Sequence, residues 1–347
     1  MISSNQSRRH FLRAATMTLA GSQVGLLSAA AAQPESTPPA AGSPARAGVP
    51  ASFGRPKQIE AGVLSVGYAE EGPADGPPVI LLHGWPYDIH SYAEPTALLV
   101  AEGYRVIVPY LRGYGTTRFL ADGTFRNGQQ SALAVDVIHL MDALRIEKAV
   151  IAGFDWGART AVITAALWPE RCKALVSVSG YLVVNRQANQ RPLPPKAELG
   201  WWYQYYFATE RGKAGYAENR EEFAKLIWKI ASPKWDFDDE TFKRSARAFD
   251  NPDHVGIVIH NYRWRLSLAE GEPQYDDLEK KLSASPRITV PTITIGSDFD
   301  GAAADGKPYA QKFTGKYAHR VLNGIGHNVP QEAPRAFADA VVAADRF

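Results

Sequence analysis

The sequence predicts an α/β fold built on a mostly parallel sheet flanked by helices, with a helical insertion in its second half. Three observations predict it. Short apolar runs of strand type recur along the chain, end in loops containing glycine, and are separated by helical segments, the pattern of strands buried on both faces. At Gly153-Phe154-Asp155-Trp156-Gly157 a sharp turn joins such a run to a helix. Between residues 182 and 285 the strand pattern gives way to helical periodicity broken by prolines. With 347 residues, 45% of them hydrophobic, the chain can bury one large core and still carry a lid.

In chain order, Ser7-Arg8-Arg9-His10-Phe11-Leu12 is a twin-arginine pattern, followed by a weakly apolar stretch and by Ala29-Ala30-Ala31-Ala32. Residues 1–32 are therefore expected to be a signal peptide for export of a folded protein, which places the mature chain in the periplasm or outside the cell. The stretch is short and interrupted by Thr, Ser, Gln and Gly, so stable membrane insertion is not expected. Residues 33–52, rich in Pro, Ala and Ser, read as an extended linker. The core is assigned to 53–181 and 286–347, and a helical cap to 182–285.

Within the core, Pro78-Val79-Ile80-Leu81-Leu82 and Arg105-Val106-Ile107-Val108-Pro109 are buried strands leading into His83-Gly84-Trp85-Pro86 and Arg112-Gly113-Tyr114-Gly115. Lys148-Ala149-Val150-Ile151-Ala152 is the strand before Asp155, and Ala158 to Trp168 is helical until Pro169. A strand at Ala174–Val178 precedes the insertion, where Phe223, Leu226, Ile227 and Ile230 keep helical spacing. Thr292-Ile293-Thr294-Ile295 ends at Gly296-Ser297-Asp298-Phe299-Asp300, and Arg320-Val321-Leu322 ends at Gly324-Ile325-Gly326-His327-Asn328.

The motifs HGWP, RGYG, GFDWG and GIGH, in that order, resemble the α/β-hydrolase superfamily, specifically its epoxide hydrolase and haloalkane (haloacid) dehalogenase branch with an Asp nucleophile. The resemblance covers about residues 55 to 345. Asp155 stands where an esterase carries serine. A carboxylate suits attack on an alkyl carbon, because the resulting ester can be hydrolysed at its own carbonyl, whereas serine would leave an inert ether. It is already ionised near neutral pH, which frees His327 to take a proton from the hydrolytic water. An acidic residue must then hold the imidazole. The family's spacing from Pro291 points to Asp300, with Asp298 as the alternative.

The resemblance further implies oxyanion donors in the backbone N–H groups of Trp85 and Trp156, and a supporting role for His83. Tyr203, in Trp202-Tyr203-Gln204-Tyr205-Tyr206-Phe207, and Tyr262, in Asn261-Tyr262-Arg263, resemble the pair of cap phenols that contacts an epoxide oxygen. Fluoroacetate-type dehalogenases instead place His-Trp where this chain has Tyr203-Gln204, a departure that favours the epoxide. Tyr110 is a second departure, since relatives often carry Asp there. Arg112 is either a carboxylate-binding group or a structural ion-pair partner. The bland alternatives are a helix-capping Asp155 and tyrosines that merely pack.

The expected function is a cofactor-free hydrolase that turns an epoxide into a vicinal diol through an alkyl ester on Asp155. A haloalkane or haloacid dehalogenase using the same covalent route is the alternative, and a non-catalytic protein that binds small molecules is the third reading. The expected partner is a small molecule; oligomeric state is not legible. Removing residues 1–32 takes away three of 38 basic residues and none of 36 acidic ones, leaving a formal charge of −1 and no basic stripe, so nucleic acid is not expected. A lone Cys172 excludes an intrachain disulfide. No Cys/His metal spacing, G-x-G-x-x-G or Walker loop is present, so neither a metal nor a nucleotide cofactor is expected.

Overall fold

The computed structural model describes residues 53–347. The twin-arginine segment and the linker, and with them the expectation of export, lie outside the described residues. Nine strands form one sheet: β1 (Lys57–Ala61), β2 (Leu64–Glu71), β3 (Pro78–Leu82), β4 (Arg105–Pro109), β5 (Arg118–Phe119), β6 (Ala149–Gly153), β7 (Cys172–Val178), β8 (Thr292–Ser297) and β9 (Tyr317–Leu322). Their order is β1-β2-β4-β3-β6-β7-β8-β9, with β5 paired to β2. From β4 to β9 every pairing is parallel, as the apolar runs predict, while β1, β2 and β5 add an antiparallel edge. That edge is absent from the sequence reading. β1, Lys-Gln-Ile-Glu-Ala, is largely exposed and lacks the apolar run that marks β3 and β6.

The helices fall into two groups. The core helices are α1 (Ala93–Ala101), α2 (Gln130–Ala143) and α3 (Trp156–Leu167). Seven helices then lie between β7 and β8: α4 (Pro195–Gly200), α5 (Trp202–Ala208), α6 (Glu210–Glu218), α7 (Arg220–Ala231), α8 (Asp239–Ala246), α9 (His254–Arg265) and α10 (Asp276–Ser283). The chain closes with α11 (Val329–Glu332) and α12 (Pro334–Asp345). α3 and α12 both pack on β6 and β7, with α2 beside α3 and α1 beside α12, which puts one pair on each face of the sheet. Among the described residues no helix is long and apolar enough to cross a membrane.

Parallel strands bring their carboxyl ends to one edge, where the connecting loops collect chemistry. The register Leu82↔Gly153 sets the loop after β3 beside the turn after β6. That approach demands glycine. A Cβ on Gly157 would lie 1.8 Å from the Leu82 carbonyl oxygen, and one on Gly84 would lie 2.3 Å from Asp155 Oδ1. Asp155 itself has φ 53° and ψ −124°, a left-handed conformation unusual for a non-glycine residue, and α3 starts immediately after it.

Replacing Gly157 by Ala therefore forces β3 and α3 apart. We expect Gly157→Ala to lower unfolding free energy by at least ~2 kcal/mol in urea denaturation; a change within ~0.5 kcal/mol would contradict this account of the turn.

Candidate active site

Asp155 is fixed from two sides. Its Oδ1 accepts the Trp85 backbone N–H at 2.8 Å, and its Oδ2 lies 3.2 Å from His327 Nε2. Burial alone would raise this carboxyl, but the hydrogen bond and charge of His327, the charge of Arg159 and the Trp85 amide together hold it below the usual carboxylate range. The side chain keeps 19% of its surface accessible, enough for a reactant to meet it. Trp156 heads α3, so its N–H has no intrahelical acceptor and is free to act as a second donor at this turn.

His83 is buried and tied to backbone on both sides. Its Nε2 accepts the Leu111 N–H at 3.2 Å, which leaves Nδ1–H to donate to Gly84 O at 3.1 Å, and burial lowers its pKa to about 4, keeping it neutral. The loop it supports is held from the cap as well. Trp85 Nε1–H donates to Tyr216 Oη at 2.8 Å, Tyr216 O–H donates to His254 Nε2 at 2.8 Å, and His254 Nδ1–H donates to Gly113 O at 2.9 Å. Trp228 Nε1–H adds a bond to Pro86 O at 2.7 Å.

The His327 loop rests on Glu332. That carboxylate accepts the N–H groups of Gly326 and Asn328 at 2.7 and 3.0 Å and the Ser232 hydroxyl at 2.6 Å, while Ser232 Oγ accepts His327 N–H at 2.9 Å. The ring of Phe299 lies 4.1 Å from the imidazole. The two candidate acids are placed differently. Asp298 points outward, pairing with Lys234 Nζ at 2.6 Å and accepting Gly324 N–H at 3.0 Å. Asp300 is buried and lines the same cavity as Asp155 and His327. It accepts Ser297 N–H at 2.9 Å, and no hydrogen bond joins it to His327 Nδ1, which has no partner among the described residues.

Tyr203 on α5 and Tyr262 on α9 come together. Their rings are 5.4 Å apart, and they sit 5.1 and 5.3 Å from the Trp85 ring. Burial drives both phenols well above their usual pKa, with the Asp155 charge adding to the effect, so both are protonated at neutral pH. Arg112 belongs elsewhere. Its guanidinium is locked on Asp136 by two 2.6 Å contacts and donates to Asn127 O at 2.7 Å, the structural ion pair weighed above, and it is not available as a carboxylate-binding group. The sequence reading missed Arg159, Arg265, Glu332 and the Tyr216–His254 brace. Arg159 alone carried a signal, as a single charge in a helix whose first ten residues are all buried. Among the described residues no group of three His, Cys, Asp or Glu side chains is arranged to hold a metal ion.

Burial raises the Asp300 carboxyl and outweighs the Ser179 hydroxyl, the Ser297 amide and the His327 charge. A carboxyl raised in the fold binds more protons there than in the unfolded chain, so its contribution to stability is largest at low pH and is lost as pH climbs above its ordinary value of 3.8. Asp300→Asn keeps an acceptor for Ser297 N–H and removes the buried charge. It should raise the thermal midpoint at pH 7 by ~1–3 °C and flatten its dependence between pH 4 and 7; a lowered midpoint would contradict the placement.

With this geometry in hand, the relatives of the chain are informative. The model of the family described as alpha/beta hydrolase fold matches residues 77–334. Epoxide hydrolase B of Mycobacterium tuberculosis is 34% identical over 150 residues, covering 40% of this chain and 41% of that protein, so the chain spans about two fifths of that curated relative. Haloalkane dehalogenase of Mycobacterium marinum is 35% identical over 212 residues, 58% of this chain and 67% of that protein. A solved structure from Klebsiella pneumoniae subsp. pneumoniae, described as a "putative epoxide hydrolase", shares 62% identity at a TM-score of 0.83, covering 84% of this chain and 97% of its own. The chain belongs to the α/β-hydrolase fold family.

Proposed function

We propose that the protein is an epoxide hydrolase that forms a vicinal diol through a covalent ester on Asp155. The observation that carries this reading is the meeting, in one site, of an ionised carboxylate anchored by Trp85 N–H with two phenols kept protonated by burial. Asp155 Oδ1 already occupies the amide donor, so Oδ2 is the attacking atom. It forms a bond to a ring carbon while the carbon–oxygen bond breaks, and the departing oxygen takes a proton from Tyr203 or Tyr262. Oδ1 then becomes the ester carbonyl oxygen, held by Trp85 N–H with Trp156 N–H beside it. His327 Nε2 takes a proton from water, hydroxide adds to the ester carbonyl carbon, the tetrahedral intermediate collapses to free the diol and restore the carboxylate, and the imidazolium proton returns to the phenolate left by ring opening. Asp300, the acid that lines the cavity, stabilises the imidazolium through its charge. The helices between β7 and β8 roof the site and exclude water.

The paired phenols favour an epoxide over a halide, because an oxygen leaving group needs a proton and a departing halide does not. A protein that only bound small molecules would have no use for this carboxylate, base and proton-donor set. The similarities to epoxide hydrolase B and to the Klebsiella structure support the same reading. The twin-arginine leader supports export of the folded enzyme.

His327→Gln incubated with styrene oxide should accumulate an adduct of the whole epoxide mass, which the additional change Asp155→Asn abolishes. Tyr203→Phe/Tyr262→Phe should slow adduct formation by ~10²-fold or more. Intact-mass spectrometry reads both; multiple turnovers by His327→Gln, or unimpaired alkylation without the tyrosines, would contradict the mechanism.

A further inference from the structure

Among the described residues Arg159 and Arg265 are buried cations without counter-ions. Arg159 follows Asp155 by one helical turn in α3, donates its backbone N–H to Asp155 O at 3.1 Å, and lines the same cavity as Asp155, Trp201 and His327. Arg265 follows Tyr262 by three residues in α9, its guanidinium 5.3 Å from the centre of the Tyr262 ring. The two residues are 6% and 3% exposed. Among the described residues neither guanidinium takes part in an ion pair or a hydrogen bond, and the Nε of each is enclosed without an acceptor.

Burying a guanidinium unpaired is costly, and the third buried arginine among the described residues is paired: Arg112, 2% exposed, is held by Asp136 and Asn127. The two charges also oppose one another. Burial first, and then the charge of Arg265, lower the Arg159 pKa to about 10, while Asp155 and the two phenols pull it the other way. Asp155 and Asp300 face the cavity, yet neither reaches a guanidinium nitrogen within 4.0 Å; Asp155 is committed to Trp85 and His327, and Asp300 to Ser297. Two planar forked donors of this kind suit a compact anion that can accept from both.

We propose that Arg159 and Arg265 form an anion subsite, and that the substrate is an epoxide bearing a carboxylate, of the glycidate class. The carboxylate sits on the guanidiniums while a ring carbon meets Asp155 Oδ2. The one-turn separation of Asp155 and Arg159 keeps anion and reacting carbon a few bonds apart, which suits a small epoxy acid better than a long one. This substrate class rests on the epoxide hydrolase reading above.

The test compares 3-phenylglycidate with its neutral analogue 3-phenylglycidamide. Wild-type kcat/KM should favour the acid, and Arg265→Gln should cut that preference by at least ~30-fold, chiefly through KM, with Arg265→Lys restoring part of it. If Arg265 served only to tune Tyr262 or to hold the cap, both substrates would lose equally; that result, or a wild-type preference for the amide, overturns the subsite. Adducts of His327→Gln separate the two layers. Alkylation by the amide and not by the acid leaves the epoxide reading standing and removes the subsite. Alkylation by chloroacetate with loss of chloride, and by neither epoxide, removes the glycidate assignment together with the epoxide reading.

Discussion

The hydrogen bond from Trp85 N–H to Asp155 Oδ1 is the contact on which the site depends. It exists because Leu82 and Gly153 pair in register, because Gly84 and Gly157 have no side chain where β3, β6 and α3 converge, and because Asp155 accepts a left-handed backbone. It distinguishes the two carboxylate oxygens, one held by an amide and one facing His327, and so divides the proposed reaction between them. The residue that supplies the amide also supplies an indole. That indole touches Tyr203 and Tyr262 and bonds to Tyr216, so a single side chain ties the nucleophile's donor to the helices over it.

Burial acts with opposite results on the groups of the site, and the partners decide which result holds. Asp155 is desolvated but surrounded by His327, Arg159 and an amide, and stays ionised at unusually low pH. Asp300 has weaker compensation and is raised; the phenols have none sufficient and are raised further. An ionised carboxylate and neutral phenols thus coexist in one site at neutral pH. In the proposed subsite the two arginines follow the same logic, with an anionic substrate as the partner of two buried like charges.

The parallel core was legible because its strands are continuous apolar runs, and β3 and β4 begin and end at the residues predicted. The Asp155 turn was legible because a strand, a strained residue between two glycines and a helix are all local. β1 escaped because an exposed edge strand has no such run. The preference for Asp300 over Asp298 came from spacing alone; their placement is tertiary, with Asp298 paired to Lys234 of the insertion and Asp300 lining the cavity without a hydrogen bond to His327. Arg112 was ambiguous for the same reason, its partner Asp136 lying in another helix. Glu332 bracing the His327 loop through Ser232, and Arg265 beside Tyr262, depend on contacts between distant segments that no local pattern records.

The central claim is that Asp155 Oδ2 forms the bond to substrate carbon. A single turnover of styrene oxide by excess wild-type enzyme in oxygen-18 water tests it most directly, with the diol and the Asp155 peptide analysed by mass spectrometry. The account predicts an unlabelled first diol, its new oxygen taken from Asp155, and one oxygen-18 atom in the Asp155 carboxylate. Label in the first diol and none in Asp155 would show direct attack by water and contradict it.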